Sequence, residues 1–260
     1  SYLRIRGGER IATAQMPVGT EAEWDDATAK AGTSFVSAAK AGRAAAILSP
    51  RLTTEDLFAF RTLFERAGDV RVGVRSLERG EDDDLLVRAD KGANSTGAAW
   101  VFGAEATEAA VLEAVRAGSV DVVLVVGDPL DPDDVADLSQ ADRDKLREIL
   151  FVGPLLAGAA EYASVLLPMA AWAEQDGSFV NFEGRVQWLR RARTPREEAR
   201  PGWRVAADLA DAVGLEFPAW SSSGDVLTDV AAAVDGYDGL TVDALGMLGV
   251  PGKVGQAAGA

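Results

Sequence analysis

Glu174, Asn181, Glu183, Arg185 and Gln187 put two carboxylates, two amides and a guanidinium into one short stretch, Glu174-Gln175-Asp176-Gly177-Ser178-Phe179-Val180-Asn181-Phe182-Glu183-Gly184-Arg185-Val186-Gln187. A carboxylate beside a clamping arginine can move a proton or hold an oxyanion. The same groups more simply tie a tight corner together as a buried network in which a Glu–Arg pair has amide partners. Asn181, Glu183, Arg185 and Gln187 alternate, so an extended backbone brings their polar ends to one side. Gly177 and Gly184 suit turns that a side chain would obstruct, with Ser178 to Phe182 extended between them. The structural reading is preferred, and no catalytic residue is assigned.

Other stretches could hold a ligand. In an open parallel α/β sheet, ligands bind outside the carboxyl ends of the strands. Here those ends lead into Ser49-Pro50-Arg51, Arg75-Ser76, Gly127-Asp128-Pro129 and Gly153-Pro154. None contains a G-x-G-x-x-G phosphate turn, and Gly252-Lys253 lacks the spacing of a P-loop, so these are read as ordinary turns. Arg185, Arg190, Arg191, Arg193, Arg196, Arg200 and Arg204 form a basic stretch that pairs with the chain's own carboxylates, docks an acidic partner surface or holds phosphate groups. Glu81 to Asp84, and Asp128 with Asp131, Asp133 and Asp134, lack calcium-loop spacing and read as solvated faces. No metal site is expected.

The 260-residue chain contains no Cys and no His. That removes disulfides, thiolate iron–sulfur or zinc ligation, and His-activated nucleophiles from this polypeptide. Its net charge of −15 argues against sequence-independent nucleic-acid binding and against adhesion to an anionic membrane. No apolar run is long enough to span a bilayer. At 48% hydrophobic residues the chain can bury a core. Its start at Ser1 is what an excised piece of something larger would show.

The elements that must position these groups follow from periodicity. Residues 1–20 read as an irregular lead-in, with Leu3 and Ile5 among Gly7 and Gly8, and Trp24 to Ala39 as a helix. Ala44 to Leu48 is a buried strand, Glu55 to Arg66 a helix capped by Thr53 or Thr54, and Val70 to Val74 the next strand. Residues 76–98 read as an irregular connection and Ala99 to Phe102 as a short strand. Thr107 to Ala117 is a helix, and Asp121 to Val126 is an apolar strand suited to a sheet covered on both faces. Glu148 to Val152 and Ala163 to Leu167 are further strands, joined by a short helical link from Leu155 to Tyr162. Trp203 to Val213 is an amphipathic helix. Ser221-Ser222-Ser223-Gly224 reads as a hinge before a helix from Val226 to Val234, and the Gly-rich last twenty residues as a frayed end or a segment ordered only by a partner. The division is residues 1–40 as lead-in and first helix, 41–217 as an α/β domain with lobes at about 41–98 and 99–217, and 218–260 as a tail.

The ordered block from Glu174 to Gln187, behind Ala163-Ser164-Val165-Leu166-Leu167-Pro168 and ahead of Trp203, resembles the molybdopterin oxidoreductase superfamily. Trp24-Asp25-Asp26-Ala27, the run from Ala46 to Arg51, Thr53-Thr54-Glu55-Asp56-Leu57, the run from Arg88 to Asn94, and Val126-Gly127-Asp128-Pro129 are similar to the carboxy-terminal region of the large iron–sulfur subunit of NADH-quinone oxidoreductase, respiratory complex I. The resemblance implies mostly parallel Rossmann-like sheets with flanking helices, as in the central domains of formate dehydrogenase. It implies a scaffolding role in electron transfer from NADH to quinone, with no cofactor on this chain and iron–sulfur clusters and FMN elsewhere in the assembly. Ser49, Arg51, Gly127, Asp128, Pro129, Asn181 and Arg185 are then vestigial cofactor positions. The implied partners are the other hydrophilic-arm subunits, with no nucleic acid and no membrane insertion. The implied location is cytoplasmic, peripheral to the inner (plasma) membrane. The alternative is a fragment or reduced subunit of a molybdopterin-dependent oxidoreductase such as formate dehydrogenase.

Overall fold

A computed structural model describes residues 10–83, 87–127 and 139–253. The expectations for Leu3, Ile5, Gly7, Gly8, Asp84, Asp128, Pro129, Asp131, Asp133, Asp134 and the last residues, 254–260, lie outside the described residues.

Five parallel strands make the main sheet: β1 (Ala44–Leu48), β2 (Val70–Val74), β3 (Val122–Val126), β4 (Glu148–Gly153) and β5 (Val165–Pro168), in the order β2-β1-β3-β4-β5. Side chains alternate across it, as a pleated strand requires. Ala44, Ala46 and Leu48 of β1 join one core cluster; Ala45 and Ile47 join the other. On the first face lie α1 (Trp24–Lys40), α2 (Thr54–Ala67), α3 (Ser95–Phe102) and, after β5, α6 (Gly202–Asp211) and α7 (Ser223–Ala233). On the second lie α4 (Glu108–Arg116) and a 3-10 turn at Gly158–Tyr162; the short α5 (Gln140–Arg143) adjoins α4. The chain is therefore an α/β fold with helices on both faces of a parallel sheet, and strands from both expected lobes share that sheet.

After β5, a 3-10 turn (Trp172–Glu174) leads into an antiparallel sheet of β6 (Gly177–Val180), β7 (Arg185–Leu189) and β8 (Val250–Pro251). The corner is thus a hairpin, and its first strand ends at Val180 rather than Phe182. Gly184, at φ +75°, makes the hairpin turn. Gly177 serves a different purpose from the expected turn: it lies within β6, where a Cβ would stand 2.6 Å from Thr53 Cγ2 and 3.0 Å from Glu55 Oε2.

Four further expectations change. Ala99 to Phe102 is helical, the second half of α3, with Ala98 and Val101 buried. A short apolar run has no decisive period, and here packing against α2 decided it. The 221–224 hinge is a helix start: Ser222 Oγ accepts from Asp225 N, and Asp225 reaches back to close a capping box around the first turn of α7. The last twenty residues, expected as a frayed end, carry α8 (Val242–Leu245) and β8, with Leu245 buried in the core. The link from Leu155 to Tyr162 is helical only over the 3-10 turn. No described helix is long and apolar enough to cross a membrane.

Candidate functional site

The turn after β1, beside the switch point between β1 and β3, is where a doubly wound sheet ordinarily presents its ligand cradle. Here the chain's own side chains fill that place. Thr53 caps α2, its Oγ1 accepting from Asp56 N at 3.1 Å. Glu55, the second residue of α2, is fully buried and accepts from Ser178 N at 2.6 Å and Ser178 Oγ at 2.8 Å. Asp56, also fully buried, accepts from Gln175 Nε2 and from Trp203 N, each at 2.8 Å. Gly202 lets α6 come this close, since a Cβ there would meet the Asp56 carboxyl carbon at 2.8 Å.

Two more residues close the network. Asn94 donates to Leu52 O at 2.9 Å and Thr54 Oγ1 at 3.1 Å, and its Oδ1 accepts from Val180 N at 2.7 Å. The Tyr237 hydroxyl donates to Thr54 Oγ1 at 2.7 Å and lies 3.0 Å from Ser178 Oγ. One clasp thus joins the start of α2, the approach to α3, β6, α6 and the segment after α7.

Burial sets its electrostatics. It raises the Glu55 carboxyl to about 7, against the opposing pull of the Ser178 hydrogen bonds. It raises Asp56 as well, against donation from Trp203, Thr53 and Gln175. The Tyr237 hydroxyl is pushed up by burial and then by the charge of Glu55. A carboxyl poised near neutrality beside a serine hydroxyl has the geometry of a base and nucleophile. Yet Glu55 and Ser178 are both 0% exposed, so no substrate reaches them. The arrangement fastens these segments together.

Next to the clasp is a cleft of about 440 Å³, open solvent included, between Arg51 and Leu52 after β1, Pro154 and Leu155 after β4, and Trp172 and Gln175. Arg10 also lines it. Its guanidinium grips Glu174 at 3.1 and 2.7 Å, and Glu174 in turn accepts from Ala171 N at 2.9 Å. Arg10 Nε and Gln175 Oε1 are buried without a hydrogen-bond partner among the described residues.

The expected site residues scatter. Ser49 and Gly127 meet at the ends of β1 and β3, where a Cβ on Gly127 would stand 2.7 Å from Ser49 Cβ. Ser49 Oγ accepts from Arg51 N at 3.2 Å. Asn181 and Arg185 do not line the cleft: Asn181 Oδ1 caps the hairpin turn by accepting from Glu183 N and Arg185 N, and Arg185 donates to Gly249 O. Glu183 and Gln187 face solvent and leave the corner network, and the buried partner of Glu174 is Arg10, not Arg185. Among the described residues no cluster of three or more acidic side chains could hold a metal. Sequence reasoning missed Arg10, Glu55, Asp56, Asn94 and Tyr237 as network members. One signal was present: Leu57-Phe58-Ala59-Phe60 makes one turn of α2 apolar on every side, and a turn of that kind is buried.

Fold and site together define a doubly wound α/β domain whose ligand-side turn is sealed from within. The chain belongs to the molybdopterin oxidoreductase family: the sequence profile of that family matches residues 79–212, just over half of the chain. The alpha subunit of F420-dependent formate dehydrogenase 2 from Methanococcus maripaludis is 35% identical over 96 residues, 36% of this chain and 14% of that protein. The alpha subunit of NADPH-Fe(3+) oxidoreductase from Geobacter sulfurreducens is 32% identical over 132 residues, 49% of this chain and 15% of that protein. The matches therefore span about one seventh of each curated relative's length. Among solved structures, acetylene hydratase from Pelobacter acetylenicus aligns with 79% of this chain and 25% of its own, at a TM-score of 0.45 and 16% identity, a likeness too slight to argue from.

The family implies a molybdopterin cofactor, and the described residues around the β1–α2 turn do not fit one. Nucleotide phosphates are seated by free N–H groups at a helix start. At the start of α2, Thr53 already takes Asp56 N, and Glu55 and Asp56 occupy the space with groups that repel phosphate once ionised. Counting only the space a water-sized sphere can enter, the neighbouring cleft holds about 40 Å³, far below the common range of about 300–1,000 Å³ for small-ligand pockets.

Proposed function

We propose that this chain is a structural domain of the large subunit of a molybdopterin-family oxidoreductase of the formate dehydrogenase kind. It positions neighbouring protein and leaves electron transfer and cofactor ligation to the rest of that subunit. The sealed β1–α2 turn is the observation that carries this reading, because the fold's usual ligand position is spent on holding five segments of the chain together. The identity with formate dehydrogenase alpha subunits supports the class of enzyme, and the absence of Cys and His from the chain supports a non-ligating role.

The sealed turn also favours a second reading, a scaffold within the large iron–sulfur subunit of complex I, docked to hydrophilic-arm subunits on the cytoplasmic side of the membrane. One preparation separates the two: the complete polypeptide carrying this domain, purified with its bound subunits. Assays for molybdenum or tungsten, pterin fluorescence and formate-dependent dye reduction should all be positive under the first reading. NADH-driven quinone reduction with FMN and iron–sulfur clusters, and no pterin, would replace it with the second.

A further inference from the structure

The arginine stretch divides into two groups. Arg185 donates to Gly249 O, Arg200 and Arg204 share Asp208, and Arg196 lies 3.6 Å from Glu197. These are satisfied within the chain. Arg190, Arg191 and Arg193 are exposed, and their guanidinium groups make no ion pair or hydrogen bond among the described residues. In a chain with 41 acidic and 26 basic residues, carboxylates are in surplus, so three neighbouring arginines left without one need a reason.

Their backbone is held in place. Ala192 N and Arg193 N both donate to Ala173 O at 3.0 Å, and Arg191 N donates to Asp176 Oδ1 at 2.9 Å. This spends one Asp176 oxygen on the backbone and fixes the loop against the 3-10 turn that carries Trp172. Trp172 is 46% exposed, a large apolar ring facing water at the rim of the cleft. Exposed tryptophan beside exposed arginine is the composition of a protein-interface hot spot.

We propose that this face docks an acidic polypeptide surface, with Trp172 as its apolar anchor and Arg190, Arg191 and Arg193 as its charge complement. Charge range decides among anionic partners. A nucleic acid or an anionic membrane presents charge well beyond the Debye length of about 8 Å, and so meets the repulsion of the whole acidic chain. A compact acidic patch on a protein meets the arginines first and is screened from the rest. A free phosphate would need donors converging in a recess, whereas these three lie on an open surface. The inference does not depend on which oxidoreductase the domain serves.

The test uses the full chain and a fluorescein-labelled peptide of glutamates around a central leucine, read by anisotropy at low and physiological salt. The chain should bind it in a salt-sensitive way. The triple reversal R190E/R191E/R193E should weaken binding by about tenfold or more. Trp172→Ala should weaken it with an unchanged salt slope. A triple R190Q/R191Q/R193Q variant, also weakened, guards against misfolding of the reversal, and thermal melting checks both. The proposal is overturned if the peptide does not bind or if the arginine variants bind as wild type. Stronger binding of single-stranded DNA, phosphatidylserine vesicles or inorganic phosphate at the same loop would overturn it equally.

Discussion

Glu55 is the residue on which the clasp's pH response turns. Its folded carboxyl is raised from 4.5 to about 7 by burial. A raised folded pKa means the native state binds the proton more tightly than the unfolded chain. The resulting stability is fully present below about 4.5 and is lost as pH rises through about 7. Asp121, Asp142 and Glu148 are shifted downward by Arg43, Ser139 and Lys30 respectively, and they act in the opposite sense at more acid pH. Melting temperature should therefore fall from pH 5.5 to pH 8 in the wild type, by a margin that shrinks in Glu55→Gln. Glutamine has the same shape, and its carbonyl still accepts from Ser178 N. Equal slopes in the two proteins would show that Glu55 does not titrate in this window. The carboxylates at the start of α2 were visible in the sequence, but only as ordinary first-turn acids. Their burial depends on Ser178, which is 123 residues away.

At the scale of elements, close approach outweighs propensity. Gly32 lies inside α1, where alanine would ordinarily help the helix by about 1 kcal/mol. A Cβ at Gly32 would stand 2.9 Å from Leu209 O and 2.8 Å from Val213 Cγ1. Val213 can turn aside, but the α6 backbone cannot without moving the whole helix. Gly32→Ala should thus destabilise the chain by about 1–3 kcal/mol in urea unfolding, contrary to helix propensity. A stabilised variant would mean that α1 and α6 slide freely. Most elements were legible from the sequence. β1 and β2 coincide with their expected spans because strand alternation and bounding turns are local signals. α3 was misread because four apolar residues have no period, and β8 was missed because its pairing with β7 is remote.

For the whole molecule, the segment after Gly236 completes the body. Tyr237 is 0% exposed, packs edge-on to Trp100 at 6.0 Å and bonds to Thr54, while β8 extends the hairpin sheet. Removing residues 237–260 should lower the melting temperature sharply, since the loss of a buried aromatic ring alone costs about 3–5 kcal/mol. A true tail would leave melting unchanged, so an unaltered transition in the truncated chain would contradict this packing. The truncation should also free Ser178 Oγ from Tyr237 without touching the bonds that Ser178 makes to Glu55.

The sequence by itself determined the parallel α/β alternation, the apolar strands buried on both faces, and the absence of any sulfhydryl or imidazole group for ligating metal. Each of those is written in composition or in a repeat a few residues long. Only the tertiary structure decided that Glu55 and Asp56 seal the ligand-side turn, that Glu174 answers to Arg10, and that Arg190, Arg191 and Arg193 are left facing water. Whether a charged group is buried, paired or free depends on which distant segments arrive beside it, and local sequence holds no record of that meeting.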